Sequence, residues 1–395
     1  MPGPFMTFIA ARTVSVLGDR VAGVVLPLAV LAGTGSAVAA GLVAAALQLP
    51  SVVAALHLGA LVDRFDRRTL MIGADVLNAT AYTGLGAELV LGGGRLPVLI
   101  GLALLAGVAD TVFTTASGSY LPHLAGEERL MRANGLAEGS DAAATLAGPA
   151  LGGWLLQAFG TFAAFLANAV SFAVSALMTA TLPGNRPVPG EQADASVLAG
   201  LRLIGRDPRQ RTLLTAAAYM HLLAAAAFLP LLVRMRDRLG LEPTVIGLVI
   251  AAAGAGGLVS SLVIARWCET RHWPPLLAAV LAVNGAATGA LALLDGAVAL
   301  AAAVLVLDGA SALAFVIVAA TRQRITGDHV RGRVLAAGGA VTALVRLAGM
   351  IAVGALTEAA GPEPVLIGLA LTGVPFVLLL LTGAPARDRA GAARG

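Results

Sequence analysis

Long apolar stretches separated by short polar segments run along the whole chain. Each stretch is about 20 residues or a little longer, which lets a helix cross the hydrocarbon core of a bilayer. The pattern predicts an all-α integral membrane protein of about twelve transmembrane helices. The predicted spans are 8–32, 38–60, 70–92, 97–118, 136–158, 161–182, 212–233, 244–265, 274–294, 297–320, 334–357 and 363–383.

Composition supports this interpretation and excludes a soluble globular protein. Hydrophobic residues make up 58% of the 395 residues and charged residues only 12%, about half of what soluble domains carry. A soluble core of this size could not cover so much apolar surface. Aromatic residues are scarce at 4%, whereas glycine occurs 48 times. Small residues allow helix backbones to approach closely in lipid.

The basic residues are distributed unevenly, and this distribution predicts the orientation. All 26 are arginine, and 19 of them lie in alternate loops or in the C-terminal tail. The loops in question are 61–69, 119–135, 183–211, 266–273 and 321–333. By the positive-inside rule, both termini face the cytoplasm of a cell (inner) membrane. The high pI of about 10.1 therefore reflects this membrane topology, and no nucleic-acid partner is expected.

The cysteine content and the first apolar stretch exclude or disfavour three kinds of feature: a disulfide, a cysteine-based metal cluster and a cleavable signal peptide. The single cysteine, Cys268, excludes an internal disulfide and a cysteine-based metal cluster. The first apolar stretch contains Arg12 and continues to about Leu31, which favours a first span over a cleavable signal peptide. We expect a monomer in contact with membrane lipids.

The segment 183–211 is the longest connection and divides the chain. Its first part is rich in proline and glycine, and 196–211 resembles a short basic amphipathic helix at the membrane surface. We predict two six-helix halves at 1–182 and 212–384, followed by a cytoplasmic tail at 385–395. A weak repeat at an offset close to 200 residues relates the halves, and such a six-plus-six repeat is typical of one large class of transporter. The matching positions are Leu26-Pro27 with Leu229-Pro230, Gly41-Leu42-Val43 with Gly247-Leu248-Val249, and Arg132, Gly148 and Gly153 with Arg333, Gly349 and Gly354.

The strongest local motif follows the second span. The residues are Gly59-Ala60-Leu61-Val62-Asp63-Arg64-Phe65-Asp66-Arg67-Arg68, and they resemble the loop signature of the major facilitator superfamily. The resemblance implies a cytoplasmic gate loop in which Gly59 permits close helix contact, Asp63 is the principal acid, and Arg64, Arg67 and Arg68 anchor the turn. Asp66 stands where the family usually has glycine. Asp75, just inside the third span, is expected to join this arginine network.

A second motif lies in the fifth predicted span. Gly148-Pro149-Ala150-Leu151-Gly152-Gly153, with Gly135 upstream, resembles the antiporter signature of the same superfamily, although Ala144 replaces one of its glycines. The resemblance implies an exporter that exchanges substrate for protons. A purely structural interpretation, a kinked helix that packs closely on a neighbour, stays open.

A third signal narrows the branch of the family. Arg322-Gln323 and Arg331-Gly332-Arg333-Val334, with Leu17-Gly18-Asp19 near the start, resemble bacterial siderophore, macrolide and multidrug exporters. The likeness covers nearly the whole chain. It implies a transport protein that is not an enzyme.

Charged residues within the predicted spans are the candidate coupling groups. A charge in the bilayer costs roughly 2.5 to 3.5 kcal/mol even on the mild insertion scale, so such residues are functional candidates by default. Asp19 is the first candidate to carry the proton; a structural ion pair with Arg20 or Arg346 is the alternative. The other acidic candidates are Asp110, Asp308, Glu138 and Asp141, and the intramembrane basic residues are Arg12, Arg20 and Arg346.

The leading hypothesis is a proton-coupled antiporter that exports hydrophobic or amphiphilic small molecules by alternating access. Import or uniport of a small metabolite is an alternative, and a membrane enzyme acting on lipids is a remote one. No nucleotide-binding motif is present, and the five histidines lack metal-ligand spacing. We therefore expect no cofactor and no metal.

Overall fold

In a computed structural model, the protein is described over residues 3–62, 65–125, 130–185, 197–267 and 273–383, and the regular secondary structure of this part is helical, without β-strands. The helices are α1 (Gly3–Thr34), α2 (Ala37–Val62), α3 (Arg67–Leu91), α4 (Leu96–Ala125), α5 (Leu130–Ala180), α6 (Val197–Arg206), α7 (Pro208–Val233), α8 (Pro243–Trp267), α9 (Trp273–Leu293), α10 (Ala297–Ile325), α11 (Asp328–Ala360) and α12 (Pro362–Gly383). The predicted all-α membrane fold is confirmed.

The longest element, α5, contains two of the predicted spans. Gly160 has φ 79° and ψ 177°, a backbone conformation outside the helical region, and it separates the arms 130–159 and 161–180. Such a positive φ is accessible to glycine without steric cost. When the two arms are counted separately, the described part of the chain has twelve long helices besides α6.

Most of these helices are apolar enough to span a bilayer. Eight meet a strict combined criterion of length and hydropathy within the described residues, and α5 is one of them. The other long helices, α2, α3 and α12, have 26, 25 and 22 residues. Several helices extend beyond their predicted apolar windows, as in α11, which begins at Asp328. Helical hydrogen bonding continues through the polar residues at these ends, which hydropathy alone does not detect.

The amphipathic helix ends earlier than predicted. We expected it to reach residue 211, but α6 ends at Arg206. The Asp207 side chain accepts a hydrogen bond from Arg209 N, and Pro208 occupies the first turn of α7. A side-chain cap followed by proline starts a new helix. The buried face of α6 places Ile204 against Val334 and Ala337 of α11.

The chain forms two compact units. The first contains Met1–Ala193 and Gly240–Ala251, and the second contains Asp194–Leu239 and Ala252–Gly395. In the first, α1 packs extensively on α5, and α3 packs on both α4 and α5; Tyr82 stacks on Phe172 with ring centroids 5.6 Å apart. In the second, α7 packs on α11 and α9 on α12. Each unit therefore buries its own helix faces.

The loop signature is only partly within the described residues. The backbone of Gly59 belongs to α2, whereas Asp63 and Arg64 lie outside the described residues. Arg67 donates to the carbonyl of Ser119, 3.1 Å away, and Arg68 donates to the carbonyl of Ala180. These arginines therefore tie the start of α3 to the ends of α4 and α5.

Asp66 gives this turn a defined geometry. Its Oδ1 accepts a hydrogen bond from Thr69 N at 2.9 Å, so Asp66 is the N-cap of α3, and its Oδ2 accepts one from Asn185 N at 2.8 Å. Partial burial raises the pKa of this carboxyl, but the hydrogen bonds from Thr69 and Asn185 and the nearby Arg68 outweigh it and hold the pKa below its usual value. Where the signature has a glycine, this chain thus has an aspartate that caps the start of a helix.

Candidate functional site

Four helices of the first unit, α1, α3, α4 and α5, surround a polar cavity of about 220 Å³. The charged and hydrogen-bonding groups that line the cavity are Arg12, Ser15, Asp19, Asn78, Asp110, Thr114, Ser117, Asn134 and Glu138. Four of the predicted site residues therefore meet in one place.

Asp110 of α4 is held by an amide from α3. Asn78 Nδ2 donates to Asp110 Oδ1 at 2.6 Å, and Asn78 is only 1% exposed. The Oδ1 atom of Asn78 is buried and accepts no hydrogen bond from a described residue. This amide therefore satisfies one carboxylate oxygen and presents an unused acceptor of its own.

Asp19 lies in the middle of α1 and faces the same cavity. Its Oδ1 is buried and has no hydrogen-bond donor among the described residues. Arg20, the next residue, is exposed and does not line the cavity, although its charge interacts with the Asp19 carboxyl. A buried carboxylate oxygen with no donor is costly unless it binds a proton or a ligand.

Asp75 lies deeper in the protein than predicted. It is fully buried in α3, where its Oδ1 accepts a hydrogen bond from Ser15 of α1 at 3.2 Å. The described hydrogen bonds of Arg67 and Arg68 go to backbone carbonyls instead. Asp75 therefore faces α1, and because Arg64 lies outside the described residues, its membership in the arginine network stays a prediction.

Arg12 and Asp141 neutralise each other beside the cavity. The guanidinium donates to both carboxylate oxygens, at 2.6 and 2.7 Å, and to the carbonyl of Ala137 at 3.3 Å. Such a two-point contact fixes both side chains. Glu138, the neighbouring candidate, is exposed at the cavity's edge.

The remaining charged candidates lie in the second unit. Asp308 is in α10, and a Cβ placed on Gly257 of α8 would be 3.4 Å from its Oδ2. Arg346 is in α11, in the electrostatic neighbourhood of His221, whose ring lies 4.8 Å from that of Phe315. These residues therefore do not belong to the cavity of the first unit.

The glycines of the second motif bring helices close together. A Cβ on Gly148 would overlap Arg20 of α1, and one on Gly152 would lie 2.8 Å from the carbonyl oxygen of Val21. On another face of α5, a Cβ on Gly153 would overlap the carbonyl of Pro243. Around Gly135, by contrast, no atom lies within 4 Å of such a Cβ.

The backbone of Pro149 also lies close to a glycine of α8. A Cβ added to Gly247 would overlap the carbonyl of Pro149, which belongs to the same compact unit. Gln157 further along α5 donates to Glu242 at 2.6 Å and accepts from Thr244 N at 3.1 Å. The motif thus has a clear packing role.

The sequence interpretation missed Asn78 and Ser15. Both side chains are uncharged, and a search for charged residues within the predicted spans does not identify them. One signal was available, since Asn78 follows Asp75 by three residues and therefore lies on nearly the same face of a helix. An amide inside a predicted span, one turn from an acid, marks the buried side.

Two ion pairs connect helix ends to the loops that follow or precede them. Glu88 accepts hydrogen bonds from Arg95 Nε at 3.0 Å and Nη2 at 2.9 Å, and this interaction raises the pKa of Arg95. Arg234 is 4% exposed and donates to Asp295 at 2.8 Å. It begins a π-helical turn, Arg234–Arg238, so this arginine cluster extends the helix α7.

Comparison with known proteins agrees with this architecture. Residues 8–350 match the profile of the Major Facilitator Superfamily. The chain is 30% identical over 400 residues to the multidrug efflux pump Tap of Mycolicibacterium fortuitum, with 95% of this chain and 94% of that protein covered. It is also 30% identical over 300 residues to the MFS-type transporter YfiS of Bacillus subtilis, covering 74% and 70% of the two chains.

Solved structures show the same fold at lower sequence identity. A bacterial homologue of the iron transporter ferroportin in the inward-facing state aligns with a TM-score of 0.73 at 18% identity, over 96% of this chain and 98% of that one. The nucleoside transporter NupG aligns with a TM-score of 0.74 at 13% identity, over the same shares. This multi-pass membrane chain is therefore a transport protein rather than an enzyme, and it belongs to the major facilitator superfamily.

Proposed function

We propose that this protein is a secondary active transporter that exports hydrophobic or amphiphilic small molecules in exchange for protons, by alternating access. The observation that carries the proposal is the buried, unpartnered Oδ1 of Asp19 facing a cavity of about 220 Å³. The full-length similarity to a multidrug efflux pump at 30% identity supports the export direction. The membrane is the cell membrane, with both termini in the cytoplasm, as the arginine distribution favours.

The three aspartates in or beside the cavity differ in their hydrogen-bond partners. Asp141 is bound to Arg12 and keeps its charge neutralised, and Asp110 is held by Asn78. Asp19 has no comparable donor on its Oδ1. A coupling residue must alternate between charged and neutral forms, and burial lowers the cost of the neutral form relative to the carboxylate. We therefore assign Asp19 as the proton-carrying group and Asp110 as its neighbour in the same cavity.

The two sequence motifs have supporting roles in this proposal. The loop around Asp63, Arg64, Arg67 and Arg68 is the cytoplasmic gate implied by the family resemblance. The glycines of α5 let this helix pack closely on α1 beside Asp19. The energy for transport comes from the proton gradient, and the protein works as a monomer among membrane lipids.

The test is drug accumulation in a pump-deficient bacterium that expresses this chain. We expect accumulation to fall on expression, and a protonophore to restore it. Substrate that accumulates above the level of the empty-vector strain would instead show import and overturn the export assignment.

The Asp19→Asn variant tests the assigned residue. It removes the ionisable oxygen with little change of shape, and we expect it to abolish uphill efflux while the amount of protein in the membrane stays the same. Asp237→Asn is the matched control, because Asp237 is half exposed and lies on the π-helical turn, away from the cavity. Normal efflux by Asp19→Asn would remove Asp19 from the coupling mechanism.

A further inference from the structure

The second unit contains an apolar cavity between α8, α9 and α10. Its volume is about 330 Å³, and the residues that line it all belong to this unit. We call it the valine recess after four of its lining residues, Val259, Val280, Val283 and Val306. Valine side chains are stiff at χ1, so such walls have few alternative shapes.

Two glycines bring α8 and α10 together at the recess. A Cβ on Gly256 would overlap the carbonyl oxygen of Leu305, and one on Gly309 would lie 3.1 Å from Ser260 Oγ. The Ser260 hydroxyl donates to the carbonyl oxygen of Gly309 at 2.6 Å. Because α9 also packs on α10, the recess is bounded by α10 and by a helix on either side of it.

The recess lies at the middle depth of the membrane. Its three helices are each apolar and long enough to span a bilayer. Gly256 of α8, Val283 of α9 and Gly309 of α10 each lie within two residues of the middle of their helix. The hydrocarbon core is about 30 Å thick, so the recess is about 15 Å from either headgroup layer.

The exposed residues around the recess identify its open side as the lipid side. Val259, Val283 and Val306 line it and are 50%, 47% and 43% exposed. Every exposed residue of α9, whose helix is described over its whole length, is apolar. A helix face of this kind at mid-depth contacts acyl chains, so the recess is continuous with the surface that the bilayer covers.

The chemistry of the lining excludes a polar occupant. Among the described residues that line the recess, Ser260 alone has a polar side chain, and its hydroxyl already donates within the protein. A buried water needs about two to four polar partners. An empty recess would forfeit the dispersion contacts of its walls, and apolar cavities of about 150 Å³ already take up apolar molecules such as benzene.

We propose that the valine recess binds the methyl-terminal part of one acyl chain of a membrane phospholipid. At this depth a headgroup cannot reach the site, whereas an acyl chain of either leaflet ends there. Lipid chains are as apolar as the protein surface, so shape and van der Waals contact hold the chain rather than the hydrophobic effect. The site goes beyond the export function and does not depend on it.

The test uses a phospholipid that carries a photoreactive diazirine at the methyl end of one chain. Purified, full-length protein in phosphatidylcholine nanodiscs with a small share of this lipid is irradiated, and labelled peptides are measured by mass spectrometry. Val170 is the reference, because it lies at the middle of the second arm of α5 and is 53% exposed. We expect at least fivefold more label on the recess residues than around Val170, and no such enrichment when the diazirine is next to the chain's carbonyl group.

A pair of variants on α9 ties the label to the recess. Ala279 lines it and is exposed, so Ala279→Phe should fill the space and reduce the label there to the level at Val170. Ala286 is exposed on the same helix face two turns away and does not line the recess. Ala286→Phe is therefore the matched control and should keep the enrichment. Unchanged label at Val170 and a wild-type size-exclusion profile show that each variant is folded.

Three outcomes would overturn the proposal. Equal labelling of the recess and Val170 in wild-type protein would show ordinary bilayer contact only, and this comparison is decisive even if a variant does not fold. Enrichment that persists in Ala279→Phe would place the bound chain elsewhere. Loss of the enrichment when a hydrophobic dye such as rhodamine 6G is added would assign the recess to the apolar part of a substrate instead of a lipid. Efflux is not measured in this test, so each of these results leaves the export proposal standing.

Discussion

Asp66 bonds two separate segments through its two carboxylate oxygens. Oδ1 caps α3 at Thr69, and Oδ2 holds Asn185, which follows the end of α5. Beside it, Arg67 N donates to the carbonyl of Asn185 at 3.2 Å, and the Tyr120 hydroxyl donates to that of Pro183 at 2.6 Å. A single residue that departs from the family signature therefore joins the start of α3 to the segment after α5, beside a bond from α4 to the same segment.

We expect Asp66→Ala to destabilise the protein. Loss of an N-cap alone costs about 0.5–2 kcal/mol, and Asn185 N would also lose its acceptor. The prediction is a lower midpoint of thermal unfolding in detergent at pH 7, with Asp66→Asn showing a smaller loss because asparagine also caps helices. An Asp66→Ala protein with the midpoint of wild type would contradict the capping role.

The effect of Asp66 should depend on pH in one direction. Its folded-state pKa lies below the ordinary value, which is about 3.9 in an unfolded chain. Its contribution is therefore complete above about pH 4 and is lost as the pH falls through the lower, folded-state pKa. The difference in unfolding midpoint between wild type and Asp66→Ala should stay constant from pH 7 to 5 and shrink only below about pH 4. A difference that already vanishes at pH 6 would show that another group is responsible.

At the scale of one element, α5 combines three functions. Its first arm contributes Asp141 and Glu138 beside the cavity, its glycines contact α1 and residues of α8, and Gly160 separates it from the second arm. Small residues four apart make one smooth strip along a helix. The spacing of Gly148 and Gly152 therefore determines where α1, and with it Asp19, can lie.

The glycine strip predicts unequal effects of identical substitutions. Gly148→Ala places a methyl group where the backbone of Arg20 lies only 3.1 Å away, so the helices must separate. We expect lower stability and at least a tenfold loss of efflux. Gly135→Ala is the matched control on the same helix, where the added methyl group meets no atom within 4 Å. It should leave efflux unchanged and add up to about 1 kcal/mol of helix stability.

Growth-inhibition assays and thermal unfolding of the purified variants measure this contrast. If both glycine variants behaved alike, close packing of α5 on α1 would not be the reason for the motif.

For the whole molecule, the orientation in the membrane is open to direct measurement. Arginine enrichment in alternate loops predicts that Phe65, before α3, faces the cytoplasm and that Val298, at the start of α10, lies on the outer side. Both are exposed, at 53% and 86%. In a Cys268→Ala background, a membrane-impermeant maleimide should label Val298→Cys in intact cells and label Phe65→Cys only after lysis. The opposite pattern would reverse the topology.

Much of the fold could be predicted because its determinants are local along the chain. Spans need only enough consecutive apolar residues, and hydropathy locates them to within several residues, as in α9 at Trp273–Leu293 against the predicted 274–294. The ends were less accurate where helices continue through polar residues, as at the start of α5. The proposed division into two halves at 182 and 212 stays a prediction.

The sequence by itself determined that this is an all-α membrane transport protein, because apolar length, arginine placement and motif spacing can all be read from the order of residues. Only the tertiary structure decided which polar groups act together. Asp19, Asp308 and Asp141 look equivalent as acids inside spans, yet one faces a cavity with an unpartnered oxygen, one lies in the other unit, and one is neutralised by Arg12. The physical reason is that the rotation of each helix about its axis, set by packing, determines which side chains meet.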